Sequence, residues 1–202
     1  MPDTPGPNHF DELFRQNDDP WGFRSRWYEA RKRALTVACL PTRRYARGYE
    51  PGCANGELSA QLAERCERLL VSDVSARAVA LARERLAALA HVEVVQAHLP
   101  ADWPEGGFDL IAISELGYFV DAASLDAIAA QARAALLPGG TVLACHWRRP
   151  IRGCALDGDA VHERLARGLG LPVLCELREA DFVLHVWSSD PRSVAEREGF
   201  DW

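Results

Sequence analysis

What this chain lacks narrows it before any motif is read. No apolar stretch approaches the ~20 residues of a membrane-spanning helix, so no membrane partner is expected. Met1-Pro2-Asp3-Thr4-Pro5-Gly6-Pro7 has neither a basic start nor an apolar run, so no secretory signal is expected either. Six cysteines, at 39, 53, 66, 145, 154 and 175, form no Cys-x-x-Cys pair and no His/Cys cluster at zinc spacing, so no metal is expected. Cys39, Cys66 and Cys145 stand on apolar faces, where a thiol behaves as a small hydrophobe. Basic charge is in deficit: 23 Lys and Arg against 29 Asp and Glu leave −6, which argues against a general nucleic-acid binder. Local basic stretches do occur, at Arg24 to Arg33 and Arg148 to Arg152. A cytoplasmic, reduced protein is expected. Its oligomeric state is not legible.

What is present suits one folded domain. Hydrophobic residues make up 48% of the 202 and charged ones 26%, and a chain of this size buries roughly 70% of its unfolded surface without staples. There is no internal repeat. Residues 1–8 read as a loose Pro-rich tail. Phe10, Leu13, Phe14, Trp21 and Phe23 make the next stretch too aromatic for a linker. A helix from Trp27 to Cys39 places Trp27, Ala30, Ala34, Leu35 and Ala38 on one face and ends at Pro41. Strands then alternate with helices. Arg68 to Ser72 and Val92 to Val95 are strands, and Phe108 to Ile113 is a continuous apolar run, as in a strand buried on both faces. Ser75 caps the helix carrying Val79, Ala82, Leu86 and Leu89. A helix runs from Ser124 to Leu136, Pro138-Gly139-Gly140 breaks the chain, and Thr141 to Cys145 forms a fifth strand. A further helix spans Asp159 to Leu169. The last strands, Val173 to Leu177 and Phe182 to Trp187, are joined too closely for a parallel crossover and must form a hairpin. The expected fold is α/β, a Rossmann-like, doubly wound, mostly parallel seven-stranded sheet with a C-terminal antiparallel hairpin.

The run Tyr49-Glu50-Pro51-Gly52-Cys53-Ala54-Asn55-Gly56, read with Asp73, says most about function. An acidic residue closes a strand, two glycines shape a turn, and a helix begins near Glu57. A second strand then ends at Asp73. In a Rossmann-type unit the glycines let the backbone approach a nucleoside, and the second-strand carboxylate takes the ribose hydroxyls. A dinucleotide fingerprint wants Gly-x-Gly-x-x-Gly, but Ala54 fills the middle slot.

The surviving pattern resembles the first motif of class I S-adenosylmethionine-dependent methyltransferases, acidic-x-Gly-x-x-x-Gly. Ser72-Asp73-Val74-Ser75, Phe108-Asp109-Leu110-Ile111 and Leu137-Pro138-Gly139-Gly140 match later motifs in the right order, over roughly Tyr45 to Trp187. Asp19-Pro20-Trp21-Gly22-Phe23, Trp27-Tyr28-Glu29-Ala30-Arg31-Lys32 and Ser114-Glu115-Leu116-Gly117-Tyr118-Phe119 add a narrower resemblance, to the nodulation protein S family. That family N-methylates an amino sugar at the end of a deacetylated chitooligosaccharide. The resemblance implies an S-adenosylmethionine-dependent methyltransferase acting on an amine of a small molecule or amino sugar. It implies a helical lid over 9–43, a methyltransferase domain over 44–190 and a tail over 191–202.

For the cofactor it implies Glu50, Gly52, Cys53, Gly56, Asp73, Val74, His98, Leu99, Trp21 and Tyr28. Glu50 either reaches the methionine amino group or braces the glycine loop. Trp21 and Tyr28 offer aromatic faces to the sulfonium. His98 stands where the family usually has an acidic residue for the adenine amine; Asp102 or a backbone carbonyl is the alternative. Glu115 and His146 are the candidate bases, each with a bland reading: a solvated loop carboxylate and a core histidine. Tyr118 and Arg148 are candidate acceptor contacts, Trp27 reads as core, and His162 as a surface histidine. Three rival functions stand beside amine methylation: O-methylation of a small molecule, a nicotinamide-dependent oxidoreductase, and a non-catalytic nucleoside-binding module.

Overall fold

The computed structural model describes residues 7–200. Seven strands form one sheet: β1 Tyr45–Pro51, β2 Cys66–Asp73, β3 Val92–Gln96, β4 Phe108–Ser114, β5 Leu136–Trp147, β6 Val173–Arg178 and β7 Phe182–Ser188, in the order β3-β2-β1-β4-β5-β7-β6. The first five are parallel; β7 runs antiparallel between β5 and β6. Strand order reverses between β1 and β4, and a crevice opens there beyond the strand ends. The described residues contain no helix long and apolar enough to cross a membrane.

Apolar residues alternate to both faces of the sheet. Leu110, Ala112, Leu143 and Cys145 face α2 (Trp27–Ala38), α3 (Glu57–Ala63) and α4 (Ala76–Arg85), where Leu62, Ala82 and Leu86 close the layer. Ile111, Ile113, Val142 and Ala144 face α5 (Ala122–Ala135) and α6 (Gly158–Leu169), against Leu125, Ile128, Val161 and Leu165. Each leucine, isoleucine or valine among them, taken wholly out of water, contributes roughly 1.5–3 kcal/mol. Side-chain caps start α4, α5 and α6, among other helices: Ser75 accepts from Ala78 N, Asp121 from Ser124 N and Asp157 from Ala160 N.

Several boundaries differ from expectation. The tail expected over 1–8 lies mostly outside the described residues, and from Pro7 the chain is already helical, as α1 (Pro7–Gln16). Phe10, Leu13 and Phe14 recur at helical spacing, and Phe14 is buried against Ala78 and Leu81 of α4. Strand β5 begins at Leu136 and runs through Pro138-Gly139-Gly140, with a register shift against β4 absorbing the irregularity. The C-terminal segment is not simply a tail: α7 (Val194–Arg197) is closed by a Ser193/Glu196 capping box, and Arg197 bonds back to Ser188 and Asp190. Residues 201–202 lie outside the described residues.

Helix α2 departs most. Trp27 is 77% exposed rather than core, and Ala34 and Ala38 face out. The buried stripe is Glu29, Lys32 and Thr36, three polar residues at helical spacing. Tyr28, Leu35, Val37 and Cys39 pack against the apolar layer, while the polar stripe borders the crevice, where Lys32 pairs with Glu29 and Glu115.

Candidate active site

A cavity of about 590 Å³ opens at the carboxyl ends of β1, β2 and β4, within the range of small-molecule sites. The chain from α1 to α2 roofs it. Asp11 accepts from the Ser75 hydroxyl, Arg77 pairs with Asp18 at 2.6 Å, and Asn55 Nδ2 donates to Asp19 at 3.1 Å. These bonds tie the roof to α4 and to the glycine loop. His9, Phe10, Phe14, Trp21, Phe23, Arg26 and Tyr28 line it from above.

The floor is the glycine loop. Gly52 N–H and Cys53 N–H both donate to Ser72 O, at 2.7 and 2.9 Å, holding the turn against the end of β2. Gly52 sits at φ +73, and a Cβ there would meet Leu116 at 3.4 Å. Ala54, in the slot where a dinucleotide site has glycine, also adopts a positive φ of 49. Asp73 fixes the loop: Oδ2 accepts from Ala54 N and Oδ1 from Ser75 N, both at 2.9 Å. Each oxygen keeps a lone pair for a cavity hydroxyl. Burial raises the Asp73 pKa, opposed by the backbone bonds.

Beside this floor is an annex of about 50 Å³ lined by Glu50, Cys53, Asn55, Lys32 and Glu115 among others. Glu50 is buried, and burial pushes its carboxyl up to about 8 against the nearby Ser59 hydroxyl, with Asp73 adding to the rise. Glu50 Oε2, Asn55 Oδ1, Arg33 Nε and Tyr28 Oη, all of residues that line the cavity or the annex, are among the buried side-chain atoms without a hydrogen-bond partner among the described residues. Buried polar groups are ordinarily paired, so this cluster suits a polar ligand.

At the end of β4, Glu115 has φ +54, a left-handed backbone that a non-glycine residue adopts at a cost of about 1–2 kcal/mol. The conformation turns its carboxylate onto the cavity wall. Lys32 Nζ donates to Oε1 at 2.7 Å and Trp147 N to Oε2 at 3.3 Å. The same ammonium pairs with Glu29 at 3.0 Å and stands 5.2 Å from the centre of the Tyr28 ring. Burial raises the Glu115 pKa, and Lys32 opposes the rise. For Lys32 burial pulls downward, but the Glu115 and Glu29 carboxylates outweigh it and hold the ammonium above its ordinary value of 10.5. Two carboxylates share one ammonium, so the cluster carries a surplus negative charge beside the cavity.

Of the residues expected to contact ligand, Trp21, Tyr28, Gly52, Asp73, Val74, His98, Leu99, Glu115 and Tyr118 line the cavity. Glu50 and Cys53 line the annex. Gly56 does neither: at φ +80 it starts α3, and a Cβ there would press on Ala82 at 3.3 Å. Asp102 does not line the cavity; its Oδ2 accepts from the His98 amide at 2.9 Å. The Tyr28 ring has Lys32 in cation–π contact.

Two expected participants are elsewhere. Arg148 does not line the cavity; it pairs with Asp159 at 2.9 Å and donates to Glu179 O. His146 is fully buried off the cavity, because the parity that points Val142 and Ala144 at α6 points His146 there too. Its Nε2 accepts from Gly117 N and its Nδ1 meets His162, which is buried on α6 rather than exposed. Burial, with Lys32 adding, pushes His146 down to about 3 from an ordinary 6.5, and burial also pushes His162 well down. Depressed imidazole values contribute stability present above the ordinary value and lost as pH falls toward the folded one. A ¹⁵N NMR titration should therefore find both rings neutral throughout the ordinary imidazole range; a His146 that protonates near its ordinary 6.5 refutes this burial.

Sequence reasoning missed Glu29 and Lys32. The signal was there: Lys32 is the single lysine among 23 basic residues, and it sits three residues from Glu29 and four from Thr36.

The sequence profile of the Nodulation protein S (NodS) family matches residues 7–149. Nodulation protein S of Rhizobium tropici is 32% identical over 125 residues, 61% of this chain and 52% of that protein. The Sinorhizobium fredii protein is 29% identical over 117 residues, 56% and 54% of the two. The chain spans about half the length of the curated relatives it matches. A solved structure of a candidate methyltransferase from Pseudomonas syringae is 55% identical, with TM-score 0.73, over 81% of this chain and 99% of that one. The N-methyltransferase NodS of Bradyrhizobium japonicum WM9, in complex with S-adenosyl-L-homocysteine, shares the fold at 24% identity and TM-score 0.78, over 89% and 97%. This chain belongs to the nodulation protein S family.

Proposed function

We propose that the chain is an S-adenosylmethionine-dependent methyltransferase that N-methylates an amine of a small molecule or amino sugar. The observation that carries this reading is the Glu115 carboxylate, turned onto the cavity wall by a positive φ and held there by a buried lysine. The Bradyrhizobium relative's bound product and its N-methyltransferase designation support it.

The site fits the cofactor. Asp73 takes the ribose hydroxyls, the Gly52 turn admits the nucleoside closely, and Val74, His98 and Leu99 border the adenine. Glu50 Oε2 and Asn55 Oδ1, lacking partners, suit the methionine end. When bound, S-adenosylmethionine supplies a methyl group already activated by sulfonium. The protein's own work is to place the acceptor in line, exclude water, and manage one proton. The surplus charge of Glu29, Lys32 and Glu115 attracts an ammonium, and Glu115 takes its proton so that a neutral lone pair faces the methyl group. Carboxylates braced by an ammonium are weak bases, matched to an amine rather than to a hydroxyl. Tyr118 and Phe119 wall the acceptor end. The segment 9–43 serves as a lid, and the six free cysteines support a cytoplasmic setting.

Incubation with methyl-labelled cofactor and a panel of small amines and amino sugars, followed by mass spectrometry, tests the activity. Label on nitrogen and formation of adenosylhomocysteine are expected; label on oxygen alone, or none, overturns the reading. The lid is tested by hydrogen exchange: adenosylhomocysteine should slow exchange over residues 9–33, and equal rates would make this stretch fixed scaffold. A third result concerns Glu50. With its carboxyl raised to about 8, it is protonated near neutral pH in the free protein. An ammonium at Oε2 favours the ionised form, so adenosylhomocysteine binding should release up to one proton at neutral pH, fading above about pH 8. Calorimetry in buffers of different ionisation enthalpy measures this, and binding without proton release removes Glu50 from the amino group.

A further inference from the structure

Three histidines that the proposed chemistry does not use form a continuous hydrogen-bonded row. Gly117 N–H donates to His146 Nε2 at 3.0 Å. His146 Nδ1 lies 3.0 Å from His162 Nε2, and His162 Nδ1 lies 2.7 Å from His185 Nδ1. His185 Nε2 stands 3.7 Å from Glu176 at the edge of the sheet. A neutral imidazole has one donor and one acceptor nitrogen, whereas an amide N–H only donates. The amide therefore fixes the whole row. His146 carries its proton on Nδ1 and gives it to His162 Nε2; His162 carries its own on Nδ1 and gives it to His185 Nδ1; His185 keeps Nε2–H, toward Glu176. No other set of neutral tautomers satisfies all three contacts.

Because the row ends on an amide, not on a titratable group, it cannot deliver a proton to the cavity. It can hold a backbone in place. Gly117 opens the short 3-10 turn Gly117–Phe119, two residues after the left-handed Glu115, and Leu116, Tyr118 and Phe119 all line the cavity. The turn is pressed onto the row: a Cβ at Gly117 would fall 2.3 Å from Val161 Cγ1 and 3.2 Å from His146 Nε2. His146 also meets the edge of the Tyr118 ring at 5.4 Å between centroids, and Trp187 packs against His162 and His185.

We infer that His146, His162 and His185 are positioning residues, whose one permitted tautomer sequence anchors Gly117 and thereby aims Glu115 and Tyr118 at the acceptor. This rests on the proposed methyl transfer only for the step that the aim serves; the anchoring itself is independent of it.

The test uses the full ¹⁵N-labelled chain saturated with adenosylhomocysteine. Through-hydrogen-bond couplings should join Gly117 N to His146 Nε2, His146 Nδ1 to His162 Nε2, and His162 Nδ1 to His185 Nδ1. His162→Phe keeps a ring of similar size but neither nitrogen. Its Gly117 amide should exchange at least about tenfold faster, and turnover of any methylated amine should fall about tenfold while adenosylhomocysteine affinity stays within about twofold. His185→Asn sets an amide oxygen about where Nδ1 stood and should retain slow Gly117 exchange; His185→Leu should not. These two lie at the outer end of the row and keep the inference testable if His162→Phe does not fold. A proton on His146 Nε2, or Gly117 exchange unchanged in both His162→Phe and His185→Leu, overturns it. Couplings and exchange as expected with no amine methylated would instead retire the methyltransferase reading and leave the anchor standing.

Discussion

Replacing Lys32 by methionine is expected to cost about 3–5 kcal/mol of folding stability, the usual penalty for removing one partner of a buried ion pair. Lys32 is 5% exposed and Glu29 8%, so solvent screens this cluster little. Methionine fills much of the space but leaves two carboxylates facing each other without a cation. Their relief is to take up a proton, so the loss should be largest at neutral pH and shrink as pH falls. Wild type behaves in the opposite sense: a lysine whose pKa is raised above 10.5 contributes stability fully present below that value and lost only as pH climbs through the folded value. Urea midpoints of the two proteins near neutral pH and near pH 5 measure the effect. A difference under about 1 kcal/mol, or one independent of pH, would mean that the ammonium is not what holds the two carboxylates. Lys32→Arg should recover only part, since a planar guanidinium in this enclosed position costs about 1–3 kcal/mol in overpacking.

That cluster also marks where the sequence stops speaking. The sheet was legible because each strand announces itself locally: Ile111 to Ile113 is apolar on both faces, and four residues between Leu177 and Phe182 permit only a hairpin. The cavity floor was legible because Gly52 and Asp73 stand at fixed places relative to strand ends. Helix α2 was misread because amphipathic reasoning assumes that an inward face is apolar. Here the inward face meets a ligand cavity, so Glu29, Lys32 and Thr36 are buried and Trp27 is not. His146 failed for a related reason. Its parity with Val142 and Ala144 can be read from sequence, but which face of β5 is sealed by α6 cannot. Arg148, beyond the strand end, was claimed by Asp159, a partner eleven residues away that only the fold brings near. The positive φ of Glu115, the strongest local sign of a site, has no signature in residue type.

Glu115→Gln is expected to lower single-turnover methyl transfer by about 10²-fold or more, the usual contribution of a placed proton acceptor. Glutamine keeps the shape, and its one carbonyl oxygen can still accept from Lys32 Nζ where Oε1 stood, giving up the longer bond from Trp147 N to Oε2. It cannot take a proton, and it removes the surplus negative charge that draws an ammonium, since Lys32 then balances Glu29 alone. Affinity for adenosylhomocysteine should stay within about twofold, because the residues proposed to hold the cofactor are Glu50, the Gly52 turn and Asp73. The pH profile separates a lost base from a merely distorted site. Burial raises the Glu115 carboxyl above its ordinary 4.5, so the wild-type rate should fall as pH drops through that raised value. In the variant that limb should vanish, and the residual rate should climb with pH until the amine is neutral in solution. Single-turnover rates for an amine found by the panel, measured across pH for both proteins, decide it. A variant as fast as wild type would remove Glu115 as the acceptor. His146, buried on Gly117 and His162, cannot replace it, which leaves Glu29, the cavity-lining carboxylate on the same ammonium. A Glu29→Gln variant equally fast would mean that the amine enters the cavity already neutral, drawn from the minority unprotonated form in solution.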